Sequence, residues 1–303
     1  MNIANNTSLR TLTTGFQALF AQGFEEIASR NPAIDDWKKL ARVVPSTTAD
    51  EEYGWLEDTG NIREWLGDRE IQRMKLSGYR IRNKDFEGTK AVNVNDISDN
   101  RLGKYAIPMQ ALGADVREFP GRLVFELLAK AHTEACYDGQ NFFDADHPVT
   151  DDKGKTTVYS NTATGGGAPW YLIDTTKFMT PILFQEREKF KFVAKDKDTD
   201  DNVFERKEMV YGVDGRCNVG FGLWQLAYRS TKPLGADSLQ EARVAMGTLK
   251  NSKGRPMGVN GTLLVCGWSN DKVARELLKR DIESGSTNIN RNLVDLLVTP
   301  YVE

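Results

Sequence analysis

The chain has 303 residues, of which 40% are hydrophobic and 27% are charged, and its mean hydropathy is -0.50. These values are typical of a soluble globular protein with one large domain or two ordinary ones. The net charge is -3, and lysine and arginine are spread evenly along the chain, which argues against tight, direct binding of nucleic acid.

Three further features restrict the class of protein. The three cysteines are far apart and form no CxxC pair, which argues against a disulfide framework and against a zinc ribbon. No apolar run approaches the roughly 20 residues of a membrane-spanning helix. The start, MNIANNTSLR, lacks the basic residues and apolar core of a signal peptide. We therefore expect synthesis in the cytoplasm and no insertion into a membrane.

The N-terminal third combines a helix with two unusual segments. Apolar residues recur at steps of three and four from Ser8 to about Ser29, which predicts an amphipathic helix. Residues 43–69 carry Tyr53, Trp55 and Trp65 but have no clear period, so we expect this segment to lie across another surface. Residues 79–100 alternate like strands and are polar on both sides. They predict a projecting hairpin that turns at Gly88 and needs a neighbour for stability.

Residues 101–137 predict the longest helix, with Pro120 near the start of its best part and Gly139 as its stop. A row of small and aliphatic side chains is expected to form the packing face of this helix: Leu123, Leu127, Leu128, Ala131 and Ala135.

The centre, residues 142–236, reads as an antiparallel sheet, because short apolar runs alternate with glycines. The predicted strands are WYLID (170–174), PILF (181–184), KFKFVA (189–194) and a long run from 203 to 230.

The C-terminal region predicts two helices between strands. A capping box of Ser238 and Glu241 is expected to begin the first helix. The strand TLLVCGW (262–268) leads into the second, which begins near Ser269 or Asn270, and NLVDLLVTPYVE is the last strand.

CYDGQNFFDADHP (136–148) is the stretch with the densest potential chemistry. A functional interpretation is a metal-dependent hydrolase in which Asp144, Asp146 and His147 bind a divalent ion. Against it, His147 precedes a proline, which favours extended backbone, and no second cluster with familiar ligand spacing exists. The alternative is a capped exit from the long helix, in which the aspartates and Gly139 make turn contacts and Phe142 and Phe143 are buried.

Two other stretches resemble ligand loops only in part. KDKDTDDNVF (195–204) has aspartate at alternate positions, but Asp201 occupies the place where a calcium loop requires glycine. We expect a solvated turn between two strands. TGGGAP (164–169) lacks the lysine and the helix of a phosphate loop, so we expect a plain loop. With two histidines in the chain and no nucleophile elbow, the sequence offers little for nucleophilic catalysis.

Several stretches, taken in order, resemble one family, the major head subunit of Mu-like bacteriophages and prophages. The closing segments TLLVCGWSNDKVARELL and NRNLVDLLVTPYVE are similar to the ending common among phage capsid proteins. The stretches that carry the resemblance are VPSTTADEEYGWLEDTGNIREWLGDR, YRIRNKDFEGTKAVNVNDISDN, CYDGQNFFDADHPV, APWYLID and YGVDGRCNVGFGLWQLAY.

The resemblance implies an α+β, HK-97-like phage capsid fold (Hong Kong 97 type). Its expected parts are an N-terminal arm (1–60), an extended β-hairpin loop (61–100), a peripheral domain with the spine helix and a sheet (101–230), and an axial domain (231–303). This expected division includes the case in which part of the axial domain is inserted within 101–230.

The implied function is structural, a virion protein that assembles in the bacterial host cytoplasm. The implied partners are other copies of the chain in hexamers and pentamers, a scaffold, a maturation protease, a portal, and double-stranded DNA enclosed without sequence-specific binding. No catalytic, cofactor-binding or metal residue is expected. The metal-dependent hydrolase remains the alternative, and a minor tail or connector protein is a third possibility.

Overall fold

The structure is a computed structural model, and it describes residues 3–54, 78–99, 101–151, 154–283 and 286–303. Trp55 and Trp65, and much of the predicted hairpin loop, lie outside the described residues. None of the helices in the described ranges combines the length and the hydropathy of a membrane span.

Two long helices pack directly against each other. The N-terminal helix spans Ile3–Arg30, and the spine helix spans Gly103–Lys130. A Cβ added at Gly23 would overlap the backbone carbonyl of Gln110, and one added at Gly113 would overlap the carbonyl of Phe20. The two backbones therefore meet at a pair of glycines, where no side chain fits between them.

The spine helix differs from its prediction in three ways. It ends at Lys130 rather than near Gly139, because the following residues fold back in a separate turn. Pro120 lies in its second half, so packing of the helix outweighs the loss of a backbone hydrogen bond there. Its fully buried face is centred on Val124 and Leu128, whereas Leu123 and Leu127 are only partly buried and Ala135 is exposed.

A four-stranded sheet lies beside these helices. Its second and third strands form one long antiparallel pair, and its first strand joins in parallel. In spatial order its strands are Ala41–Pro45, Ile182–Lys195, Glu208–Phe221 and Lys84–Asn93.

The predicted turn at Gly88 is wrong, because Lys84–Asn93 runs through that glycine as one strand with Gly88 opposite Val213. The Leu112 side chain on the spine helix packs over this glycine, at 3.0 Å from the position that an added Cβ would take. A hairpin base exists elsewhere, where Asp50–Glu52 pairs antiparallel with Arg80–Arg82 on either side of residues 55–77.

The tip of the long antiparallel pair lies between Lys195 and Glu208. The predicted turn between two strands is confirmed here, although PILF and KFKFVA belong to one strand, Ile182–Lys195, instead of two. The tip also contains a short helix, Asp201–Arg206, that the sequence did not predict.

A five-stranded sheet forms the main core. Its central strand, Trp170–Ile173, pairs antiparallel with a neighbour on each side, and both outer pairs are parallel. The strands at 170–173 and 263–266 are buried at every residue, as expected for strands covered on both faces. In spatial order the strands are Asp295–Val298, Leu263–Cys266, Trp170–Ile173, Ala227–Ser230 and Thr162–Ala163.

Two helices, Ala236–Gly247 and Trp268–Lys279, accompany this sheet, as predicted in number and approximate position. The capping box of Ser238 and Glu241 is wrong. Ser238 lies within the first turn and accepts a hydrogen bond from the amide of Gly235, at 3.0 Å, while Glu241 pairs with Lys232. Helix formation begins three residues earlier because Gly235, rather than a side chain, holds the cap position.

The remaining elements are short. One antiparallel pair follows the spine helix and another, near the C-terminus, flanks residues 284–285. Their bounds, with those of the short helices, are His147–Thr150 with Thr156–Tyr159, Ile282–Glu283 with Ser286–Thr287, Pro32–Lys39, Val94–Ser98, Trp224–Leu226 and Pro300–Val302.

Candidate functional site

The chain leaves the spine helix through a compact return loop, residues 131–147. The Phe143 amide donates to the carbonyl of Ala131 at 3.1 Å, which brings the chain back over the helix end. Gly139 has a φ of +85°, in the left-handed region that glycine tolerates best. Phe142 and Phe143 are buried, as predicted, and Phe142 stacks on Phe221 of the four-stranded sheet. The loop is thereby fixed between the two sheets.

His147 lies at the centre of this loop with no solvent exposure. Its Nδ1 lies 2.7 Å from an oxygen of Asp138, and its Nε2 lies 3.2 Å from Oδ1 of Asn161. The ring stacks on the indole of Trp224 with centroids 4.0 Å apart and an interplanar angle of 9°. Three separate segments of the chain therefore meet on one imidazole.

Asn161 determines which proton the ring carries. Its side-chain nitrogen donates to the carbonyls of Phe142 and Trp224, at 2.8 and 3.3 Å, so its Oδ1 faces the histidine as an acceptor. The same Oδ1 accepts the Asp144 amide at 2.9 Å. The Nε2 atom of His147 must therefore donate a proton to it.

Asp138 is the partner of the other ring nitrogen of His147, Nδ1. Burial alone would raise its pKa, but hydrogen bonds from His147, Cys136 and the Gln140 amide more than offset that and lower the pKa below its ordinary value. The Asp138 carboxyl lies 2.7 Å from the Nδ1 atom of His147 and holds the ring over the face of Trp224.

The metal hypothesis named different atoms from those that the structure brings together. Asp144 accepts the amide of the next residue, Ala145, at 2.6 Å, whereas the Asx contact to an amide two residues on is made by Asp138, which accepts the Gln140 amide at 3.1 Å. Asp146 is exposed and lies beside the Asp144 carboxyl, whose hydrogen bond and charge raise the pKa of Asp146. The His147 ring instead faces Asp138 and Asn161, so the proposed set of Asp144, Asp146 and His147 is not assembled.

Among the described residues, one group of three potential ligand atoms does come together, from Cys136, Asp138 and His147, all within 4.8 Å. Each of these atoms already has a partner, because the Cys136 thiol donates to Asp138 at 3.1 Å. Burial raises the pKa of this thiol, which makes it both a poor metal ligand and a poor nucleophile. The donor set therefore fits a structural polar cluster better than a metal centre.

A second polar cluster fixes the base of the hairpin that encloses residues 55–77. Gln185, buried in the four-stranded sheet, accepts the Tyr53 hydroxyl at 2.8 Å. Its amide nitrogen donates to the carbonyl of Ile81 and to Oδ1 of Asn83, at 3.1 and 2.8 Å. One glutamine thus binds both sides of the hairpin base.

Tyrosines and a glutamate complete this base. The Tyr79 hydroxyl accepts the Phe221 amide at 2.7 Å, and burial raises the pKa of Tyr79 to about 12. Backbone amides of Thr47 and Thr48 hold the pKa of Glu51 down to about 2. Tyr53 is buried, so of the three aromatics noted in the sequence, the one that the structure describes serves as an anchor.

The two ligand-like loops are occupied by internal contacts. Asp196 accepts the hydroxyls of Thr13 and Tyr211, and Asp200 accepts the Lys197 amide, so these carboxylates point to different partners. In TGGGAP, the amides of Gly165 and Gly167 donate to Thr231. The cited polar groups of both stretches are thus used in contacts within the chain.

Sequence reasoning missed the partners of the buried histidine and of the hairpin base. Asn161, Trp224 and Gln185 lie far along the chain from the groups they bind, and none belongs to a recognisable motif. In the sequence, these residues are marked only by a polar side-chain atom within an apolar, strand-like region.

Comparison with known proteins places this geometry in context. A family described as "Mu-like prophage major head subunit gpT" matches residues 9–302. The chain is 34% identical to the major capsid protein of Escherichia phage Mu, over 99% of this chain and 100% of that one. It is 32% identical to the Mu-like prophage FluMu major head subunit of Haemophilus influenzae, over 91% of this chain and 90% of that one. Among solved structures, a chain from the procapsid of bacteriophage JBD30 matches with 38% identity and a TM-score of 0.82, over 99% of this chain and 100% of that one.

Proposed function

Since this chain belongs to the Mu-like prophage major head subunit family, and is thus a structural capsid protein with an HK-97-like fold, we propose that its copies form hexamers and pentamers that close into an icosahedral head. The function is structural rather than enzymatic, and the place of the protein is the virion. The observation that carries the proposal is the match to the JBD30 procapsid chain along the whole length of both chains.

The proposal extends to double-stranded DNA as the enclosed cargo. A net charge of -3, with cations spread evenly, suits a wall that confines a polyanion without binding it tightly. The scaffold, the maturation protease and the portal are proposed partners on the strength of the family alone. Trimers of a minor capsid protein decorate a solved JBD30 capsid, and a decorating protein of that kind is a further proposed partner for this chain.

We further propose how the chain divides into the parts of the capsid fold. The arm comprises the N-terminal helix and the segment up to the hairpin base. The extended loop is proposed to run between the paired strands at Asp50–Glu52 and Arg80–Arg82. It thus begins and ends earlier in the chain than the expected range of 61–100. The axial domain is built on the five-stranded sheet, so it takes strands from within 101–230 as well as from 231–303.

Electron microscopy of the overexpressed full chain tests the proposed assembly. Closed shells, tubes or ring-shaped capsomers are the expected products. A chain that stays monomeric at high concentration, with and without a co-expressed scaffold from the same phage genome, would contradict the proposal. Copy number in purified virions separates a major head subunit from a minor tail or connector protein, because the former should be the most abundant protein of the particle.

A further inference from the structure

An apolar groove lies between the N-terminal helix and the start of the spine helix. It encloses about 580 Å³ and is lined mainly by apolar groups. One wall comes from the N-terminal helix and the other from residues 97–106, and the side chains that matter are Leu12, Phe16, Leu19, Ile97, Leu102 and Ala106. Ile107, the next residue of the spine helix, is 75% exposed, so the apolar surface continues onto the rim. An apolar surface of this kind is typical of a binding site.

An exposed aromatic side chain lies on the tip of the long antiparallel strand pair. Phe204, on the short helix Asp201–Arg206, is 84% exposed, although its neighbour Val203 packs into the same hydrophobic cluster as Phe16. Asp196 of the tip also accepts the hydroxyl of Thr13 on the N-terminal helix. The exposed phenylalanine and the groove therefore lie at the same end of the described structure.

We propose that Phe204 of one copy inserts into this groove of a second copy. A large aromatic side chain that enters an apolar pocket is the usual anchor of a protein interface. Because each copy carries both the projecting ring and the groove, the contact is repeated from copy to copy and closes into a ring when the rotation between copies allows it. The inference rests on the proposed self-assembly and names one surface that carries it.

The charges around the two surfaces are complementary. Asp201 lies three residues before Phe204, so both project from the same side of the short helix, and its side chain is 87% exposed. Its nearest cation within the chain, Lys195, is 4.0 Å away, which leaves the carboxylate largely to solvent. Arg101, next to Leu102 at the groove, has a side chain that is 67% exposed and forms an exposed ion pair with Asp99 at 3.7 Å. Insertion of Phe204 would bring Asp201 to Arg101 as a second anion, in place of part of the solvent around this pair.

Cysteine cross-linking tests the contact directly. The full chain would carry Phe204→Cys together with Ala106→Cys, and assembled shells or capsomers would be oxidised and run on a non-reducing gel. The three native cysteines are buried, so their background should be low. We expect reducible bands of two or more chains from the double variant and none from either single variant.

A matched control uses another exposed phenylalanine. Phe178 is 77% exposed and precedes the far end of the strand that leads to the tip. Phe178→Cys with Ala106→Cys should give no linked chains. Equal bands from this pair, or bands from Ala106→Cys alone, would overturn the proposal, because they would show nonspecific or groove-to-groove contact.

A charge exchange gives a second test that does not depend on cysteine chemistry. Asp201→Arg should lower the yield of assembled particles several-fold while the unassembled chain unfolds at an unchanged temperature, because the side chain is exposed. Adding Arg101→Asp should restore the yield. Shells that form normally in Phe204→Asp, with no cross-link in the double-cysteine variant, would overturn the inference and leave the head function intact. Cross-links from Ala106→Cys to a cysteine placed within residues 55–77 would also overturn it and identify that segment as the occupant.

Discussion

The five-stranded and four-stranded sheets of this protein differ in how completely their residues are buried. Two of the three inner strands of the five-stranded sheet, Trp170–Ile173 and Leu263–Cys266, are buried at every residue. In the four-stranded sheet, burial changes along each strand, and Ile182–Lys195 passes from fully buried residues at its start to mainly exposed ones at its end. The first sheet lies within the main hydrophobic core, which it shares with the spine helix and the start of the second sheet, whereas the second sheet ends in a tip that packs on the N-terminal helix and exposes Phe204.

The difference shows how one chain can combine a stable body with a surface for assembly. Stability comes from apolar area removed from water within the chain. Association between copies requires apolar area that the single chain leaves accessible. In this protein the two kinds of apolar surface lie in different regions. The five-stranded sheet provides the buried area, and the groove and the tip provide the accessible area.

The largest expected effect on the free energy of unfolding is in the five-stranded sheet. Leu172→Ala should cost about 4 kcal/mol of the free energy of unfolding, because a tightly packed site cannot collapse around the lost atoms. Leu172 has no solvent exposure, and a Cβ added at Gly261 would overlap its side chain. Urea denaturation of the unassembled chain measures the loss. Val158→Ala, at a site that is 57% exposed, is the control and should change little. Equal losses at both positions would contradict the contrast between the regions.

The buried histidine cluster should rank next. Asp138→Ala leaves the buried His147 ring nitrogen and the Cys136 thiol without their hydrogen-bond partner and should cost about 3 kcal/mol. Asp146→Ala removes an exposed carboxylate from the same loop and should stay within about 0.5 kcal/mol. The same denaturation experiment, with and without a chelator, separates this account from a metal centre. A loss of stability on adding the chelator to the unmutated chain would contradict it.

A pair of glycine variants tests the contact between the two long helices. Gly23→Ala should destabilise by about 2 kcal/mol, because the backbone of the spine helix has to move to admit a Cβ. Gly15→Ala, in the same helix with nothing within 4 Å, should stabilise by up to about 1 kcal/mol through higher helix propensity. Thermal unfolding should therefore show shifts of opposite sign. Shifts of the same sign would mean that the helices are not in close contact.

The smallest effect concerns acid stability at the hairpin base. The pKa of Glu51 in the folded chain is about 2, below its ordinary 4.5, so its contribution is complete above pH 4.5 and is lost as the pH falls toward 2. Solvent screening keeps this contribution below about 1 kcal/mol. Glu51→Gln should therefore lower the unfolding temperature slightly at pH 6, and the difference from the unmutated chain should shrink as the pH falls. Glu118→Gln, at an exposed position on the spine helix, should show no such convergence. A difference in unfolding temperature between Glu51→Gln and the unmutated chain that grows as the pH falls would contradict this prediction.

The sequence predicted those parts of the fold that depend on local pattern. WYLID and TLLVCGW are short apolar runs, and both are strands, because a strand covered on two faces needs no polar alternation. Gly88 was misjudged because a local pattern treats glycine as a turn signal. In the structure Gly88 lies within a strand and the Leu112 side chain of a distant helix packs over it, and only the tertiary structure contains that information.

The candidate site divides in the same way. Burial of Phe142 and Phe143 and the Asx contact of Asp138 follow from residues close in the chain. The histidine partners do not, because Asn161 and Trp224 reach His147 through the tertiary fold and their hydrogen-bonding roles depend on orientation. A cluster of polar residues in sequence thus indicated the right loop but the wrong side chains.

The parallel pairing of Ala41–Pro45 with Ile182–Lys195 has a consequence for synthesis of the chain. During translation, the first strand has no partner until more than half of the polypeptide has left the ribosome. The five-stranded sheet needs still later residues, since Leu263–Cys266 pairs with Asp295–Val298. Such distant pairings make folding slow and late. The tip that carries Phe204 cannot form before the strands Ile182–Lys195 and Glu208–Phe221 have both been made, so nascent subunits cannot join through it while the first half of the chain is being synthesised.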